Sequence, residues 1–238
     1  MMSFKKYSVL AVLSSTLLLT ACGDDDDDVM PPVTPEPPAP VNYTYQVKVT
    51  NLTNAQPMSP VAVVLHNEGM LWQIGEMASV PLETLAESGD NSAVLAESIA
   101  LAGQSGAGVI MPGMSETIEV TITDTMVNML SMATMLVNTN DAFTGINALD
   151  ISNLAVDESI SLTTSSYDSG TEKNSETMAT IPGPAAGGEG FNAERDDSDM
   201  VSMHSGVVSM DDGLMTSVLT QAHRFDNPTL SVTITRTE

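Results

Sequence analysis

The chain has 238 residues, 42% of them hydrophobic and 16% charged, with 31 Asp plus Glu against 7 Lys plus Arg and a formal net charge of −24. That apolar share supports one sizeable core and excludes disorder throughout, and the acidity repels nucleic acid and anionic lipid surfaces while suiting a cation or a basic partner. A single cysteine excludes an intrachain disulfide.

Lys5 and Lys6 precede an uncharged run from Tyr7 to Leu19, too short to span a bilayer as a helix and shaped like a secretory leader. It ends in Leu19-Thr20-Ala21-Cys22, which resembles the lipobox of bacterial lipoproteins, where the leader is cut before the cysteine and the thiol is lipidated. The expectation is a signal peptide over residues 1–21 and a lipid on Cys22; an unpaired thiol is the alternative. The resemblance implies attachment to a membrane through that lipid. Gly23, rather than an Asp, follows the cysteine, which implies the outer membrane, with its periplasmic and surface faces both open. Asp24 to Asp28 and the prolines from Pro31 to Pro40 keep residues 22–42 extended as a tether, and the domain is expected over 43–238.

Tyr43 to Asn51 alternates Tyr43, Tyr45, Val47 and Val49 with polar residues, the period of a half-buried strand. Val61 to Leu65 is continuously apolar and predicts a strand buried on both faces. Leu82, Leu85 and Ala86 recur at helical spacing, and Asp90 or Asn91 is placed to cap a second helix through Leu95, Ile99 and Ala100. Thr117 to Thr123 alternates again. Met126 to Val137 fits either a helix or a strand, and its run into Asn138-Thr139-Asn140-Asp141 favours the strand. Ile146 to Ile151, Ser159 to Thr164 and Leu230 to Thr235 add short β segments, and the Pro- and Gly-rich span 177–199 predicts a long, mobile loop. The fold class expected is mainly β: an antiparallel β-sandwich with a short helical insertion and long loops.

The chain offers no recognisable catalytic centre. His66, His204 and His223 form no HExxH pair, no Gly-x-Ser-x-Gly elbow is present, and the glycine-rich segments lack a phosphate-loop Lys. A non-enzyme is therefore expected; the alternatives are an envelope enzyme using His204 or His223 as acid and base, or a purely structural envelope lipoprotein. Asp196-Asp197-Ser198-Asp199 and Asp211-Asp212-Gly213 match no twelve-residue calcium loop and are expected to be solvated. Met126, Met129, Met132 and Met135 are expected in the core, filling volume in a chain poor in aromatics, as is Trp72.

Two apolar runs end in turns rich in Asn, Asp and Gly, at Asn138 to Gly145 and at Tyr167-Asp168-Ser169-Gly170-Thr171-Glu172. Such ends deliver oxygen atoms to one sheet edge, and calcium takes six to eight oxygens at about 2.3–2.6 Å. On the residues alone, the favoured reading is that Asp141 and Asp168 close their turns by Asx hydrogen bonding, with Glu172 solvated.

Five segments in order resemble the spondin-type domain of the F-spondin family of matrix proteins and of bacterial exported proteins. They are Tyr45 to Thr53; Pro57-Met58-Ser59-Pro60 with His66 and Asn67; Leu85 to Asp90; Ala133 to Gly145; and Tyr167 to Glu172. The resemblance implies a β-sandwich of about eight strands, a calcium ion held by loops at one end, and adhesion to or recognition of a protein or glycan partner. It carries the metal carboxylates onto Asp141, Asp168 and Glu172. The last is commonly Asp in animal members, so the extra methylene of Glu172 makes its role conditional on how the loop accommodates it.

Overall fold

The computed structural model describes residues 36–238; the leader, Cys22 and most of the tether lie outside the described residues. Residues Pro40–Glu238 form one compact unit. Its first strand, β1 (Asn42–Asn51), buries Tyr45, Val47 and Val49 on one face, as its alternation requires. It pairs antiparallel with β4 (Ser115–Thr123) and β10 (Leu230–Arg236), and β10 pairs with β7 (Ser159–Thr164), giving a sheet of order β4-β1-β10-β7. The second sheet runs β3-β2-β5-β6-β8-β9, from β2 (Ala62–His66), β3 (Ala102–Ser105), β5 (Met129–Met135), β6 (Ala142–Asp150), β8 (Ser166–Asp168) and β9 (Ser202–Met203). All of these pairings are antiparallel, and the architecture is a β-sandwich.

The six-stranded sheet is buried on both faces. Val63 and Leu65 join Leu130, Met132 and Ile146 in the core shared with Val47, Val49, Ile118 and Val232 of the other sheet. Ala62 and Val64 instead join Ala133 and Phe143 in a second core, closed by Leu82, Leu85 and Ala86 of α1 (Val80–Ser88) and Val94 of α2 (Ser92–Leu95). Side chains of opposite parity along a strand point to opposite faces, which is why β2 is apolar from Ala62 to Leu65. α1 starts at Ser79, whose Oγ accepts from Leu82 N, and stops at Gly89, φ 73°, where a Cβ would lie 2.7 Å from Ser59 Cβ.

Several expectations need correction. α2 ends at Leu95, short of Ile99, where Ala96 N and Glu97 N turn back to Ala93 O and Val94 O three residues behind. Asn91 does not cap it with its side chain, whose amide bonds Pro60 O and Ser105 Oγ, while Asp90 Oδ1 accepts from Ser92 N. Of the methionines expected in the core, Met132 and Met135 are buried, but Met126 is 66% exposed, since the strand begins only at Met129. The span 177–199 has no helix or strand, as expected, yet it is fastened: Ile181 is fully buried, Gly188 N donates to Ile181 O, and Arg195 bridges Glu83 and Asp199. Its glycines allow close packing, and a Cβ on Gly183 would meet Val137 O at 2.2 Å.

Candidate metal centre

The β5–β6 hairpin turn carries the first acid. Thr139 Oγ1 donates to Leu136 O and accepts from Ala142 N, so the turn is closed from within. Asn138 is wholly structural: its backbone N and side chain bond Gln56 Oε1, Ala55 O and Ala185 N. Beyond the turn, Ala142 pairs with Asp168 and Phe143 with Tyr167. Phe143 and Tyr167 stack at 5.3 Å, and Trp72 packs edge-on against Phe143 at 5.1 Å, an arrangement contributing about 0.5–1.5 kcal/mol per pair beyond the area it buries. Trp72 is therefore core, as expected, and it secures the register that sets Asp141 opposite Ser169.

The second turn folds back onto that acid. Asp168 Oδ1 accepts from Gly170 N at 2.8 Å, and Gly170 takes φ 73° where a Cβ would strike Met200 O at 2.4 Å. Only glycine fits there without strain. The chain then curls so that Asp141 Oδ2 accepts from Ser169 Oγ at 2.8 Å, Thr171 N at 2.9 Å and Glu172 N at 3.1 Å.

Asp141 Oδ1 receives nothing. It is one of a small set of buried acceptors without a partner among the described residues, together with Asn140 Oδ1, Glu176 Oε2 and, farther off, Glu83 Oε1. Burial pushes the Asp141 carboxyl up to about 7, with Asp168 adding repulsion and its hydrogen bonds opposing. Burial likewise carries Glu176 up to about 7, helped by Asp141 and Asp168. Glu172 rises to about 8 through burial and the neighbouring Glu87, Asp141 and Glu189. Glu87, 1% exposed on α1, is raised by burial although Thr171 Oγ1 and Asn192 N bond its two oxygens at 2.7 and 2.8 Å.

The three acids expected from the sequence thus stand in one neighbourhood, and Glu87, Glu176 and Asn140 join them. Glu87 lies within a segment carrying the family resemblance, and Glu176 eight residues past Asp168, but neither position has a pattern that marks it as an acid of the site. Asp168 is more committed than Asp141, since its Oδ2 accepts from Asn174 Nδ2 at 2.6 Å. Asn174 Oδ1 in turn accepts from His204 Nε2 at 3.3 Å, and Gly206 N donates to His204 Nδ1, which fixes the neutral Nε2–H tautomer. His204 is 6% exposed, and burial pulls its pKa down.

Among the described residues, no three His, Cys, Asp or Glu side chains are gathered at metal-ligand spacing. The donorless oxygens are instead two carboxylates and one amide carbonyl. An unpaired buried acceptor costs roughly 1–3 kcal/mol, and close carboxylates repel, so the neighbourhood lacks positive charge. Protons can supply it, at the elevated pKa values above. A hard cation can supply it too, because carboxylate and carbonyl oxygens are its preferred donors.

The Spondin_N family model matches residues 48–183, more than half of the chain. The chain belongs to the Spondin_N family. The matched stretch of this spondin-type domain holds both acidic turns and α1, while β9, β10 and Arg195 follow it. No curated protein matches the chain.

Proposed function

We propose that this spondin-type domain binds calcium at the Asp141 neighbourhood and uses the stiffened end of its sandwich to recognise a protein or glycan partner. In this reading the protein is carried on the cell envelope, at the outer membrane, by a lipid on Cys22, and it binds rather than catalyses. The observation that supports the metal is the set of donorless buried oxygens: Asp141 Oδ1, Asn140 Oδ1 and Glu176 Oε2. These three would hold the ion, with Asp168 and Glu172 beside them. The ion would neutralise acids that otherwise repel, and would join the β5–β6 turn to the turn after β8.

Family membership supports recognition, and the fold supports where it acts. The chain enters β1 at Asn42, while both acidic turns lie toward the Asn51 end, since Asn138 bonds the 51–57 loop through Gln56 and Ala55. The ten residues of β1, at about 3.3 Å each, separate the Asn42 end of that strand from the acidic turns. An enzyme reading built on His204 finds that ring buried against Phe225 at 5.3 Å.

Calorimetric titration with calcium, paired with thermal melts, tests the metal. Calcium should bind and raise the melting temperature by mass action, and Asp141→Asn should remove both effects. If neither binding nor a shift is seen with wild type, the calcium reading is wrong.

A further inference from the structure

A cavity of ≈ 240 Å³ opens beside the acidic neighbourhood, and Glu172, Glu189, Glu194 and Asp196 all line it. Its one cation, Lys173, sits at the exposed rim, already paired with Asp196 at 3.3 Å. Glu172 differs from the other acids. It is 6% exposed, has the Asn140 amide as its hydrogen-bonding neighbour and no cation paired with it among the described residues, and lines this cavity. Its neighbour Glu87 has each oxygen accepting one hydrogen bond, from Thr171 Oγ1 and from Asn192 N. The cavity therefore has a buried carboxyl group without a cationic partner inside and solvated carboxylates around its mouth.

The chemistry that fits is a positive charge on a stem. The space exceeds what a bare ion needs, given about 30 Å³ per water in the liquid, and among the described residues no three acids stand at ligand spacing. We propose that this cavity receives a lysine or arginine side chain projecting from the protein partner, with Glu172 as the buried counter-charge and Glu189 and Glu194 as the entrance. The proposal rests on reading the domain as a recognition module, and it selects a protein partner with a basic protrusion. A charge-assisted hydrogen bond to Glu172 supplies the specificity, and the net charge of −24 steers a basic surface toward the site.

The full chain in detergent, titrated calorimetrically with Nα-acetyl-lysine amide, Nα-acetyl-arginine amide and the neutral Nα-acetyl-norleucine amide, tests this with and without calcium. The basic compounds should bind at least about tenfold more tightly than norleucine, as expected when a charged group is paired in a partly desolvated site. Glu172→Gln should abolish that preference. The paired exposed changes Glu189→Gln and Glu194→Gln, which leave the fold untouched, should weaken lysine binding about fivefold. Equal binding of norleucine, or no effect of the paired changes, overturns the proposal. Displacement of lysine by calcium, one for one, also overturns it, because Glu172 would then belong to the metal. Lysine binding in a chain that ignores calcium would sink the metal reading alone, and calcium binding without lysine preference would sink this one alone.

Discussion

Thr171 N donates to Asp141 Oδ2 at 2.9 Å across 30 residues of sequence, and this bond, with those from Ser169 and Glu172, makes one oxygen of Asp141 a structural clasp while leaving the other without a donor. The two oxygens of one side chain thus have separable duties. Asp141→Ala should destabilise the calcium-free protein by about 1–3 kcal/mol, the cost of stranding buried donors. Urea denaturation in chelator measures it; an unchanged midpoint would mean that the clasp contributes nothing.

The elevated carboxyls set the pH response of the metal-free protein. Asp141 and Glu176 titrate at about 7 and Glu172 at about 8 in the fold, against roughly 4 when unfolded. Between those values the folded chain holds more protons than the unfolded one, so stability falls as pH rises. Their favourable contribution is complete below about pH 4 and lost through the window up to about pH 8. Melts in chelator should therefore decline from pH 5.5 to pH 8. Saturating calcium should flatten that decline, and binding should release protons near pH 7, readable as a buffer-dependent enthalpy.

Arg195 holds the long loop to α1. Its guanidinium bridges Glu83, whose side chain is 2% exposed, and Asp199, and also bonds Ala78 O. Hydrogen bonding to Glu83 raises the Arg195 pKa further above its ordinary range. Arg195→Met leaves Glu83 buried without its partner and should cost about 3–5 kcal/mol. The double change with Glu83→Gln should recover part of that, and limited proteolysis should show the 177–199 loop cut faster in the single variant. Equal cleavage in both would place the fastening elsewhere.

Gly170→Ala tests the second turn. With φ at 73° and Met200 O only 2.4 Å from the new Cβ, the substitution should cost more than about 1 kcal/mol. It should also weaken calcium binding, since the turn carrying Thr171 and Glu172 must shift. A variant with wild-type melting and affinity would show that the loop bearing Met200 simply yields.

Much of the sandwich was legible in the chain because half-buried strands alternate and doubly buried ones do not. Tyr45, Val47 and Val49 in β1, and Leu230, Val232 and Ile234 in β10, announce one apolar face each, and Val61 to Leu65 announces two. The short strands β3, β8 and β9 were not legible, since two to four residues hold too few periods to show one. Ser202 and Met203 become a strand only because Tyr167 and Asp168 lie beside them.

The site divides in the same way. Asp141 and Asp168 stand in turns whose Asn, Asp and Gly announce local geometry, and sequence alone could nominate them. Asn140 lies in the first of those turns, but Glu87 and Glu176 entered only when α1 packed on the outer face of the six-stranded sheet and the chain beyond β8 closed over it. Local sequence determined which backbone segments could turn and offer oxygens. The tertiary structure decided which of those oxygens would be buried together without donors, because burial and repulsion depend on neighbours that lie far apart along the chain.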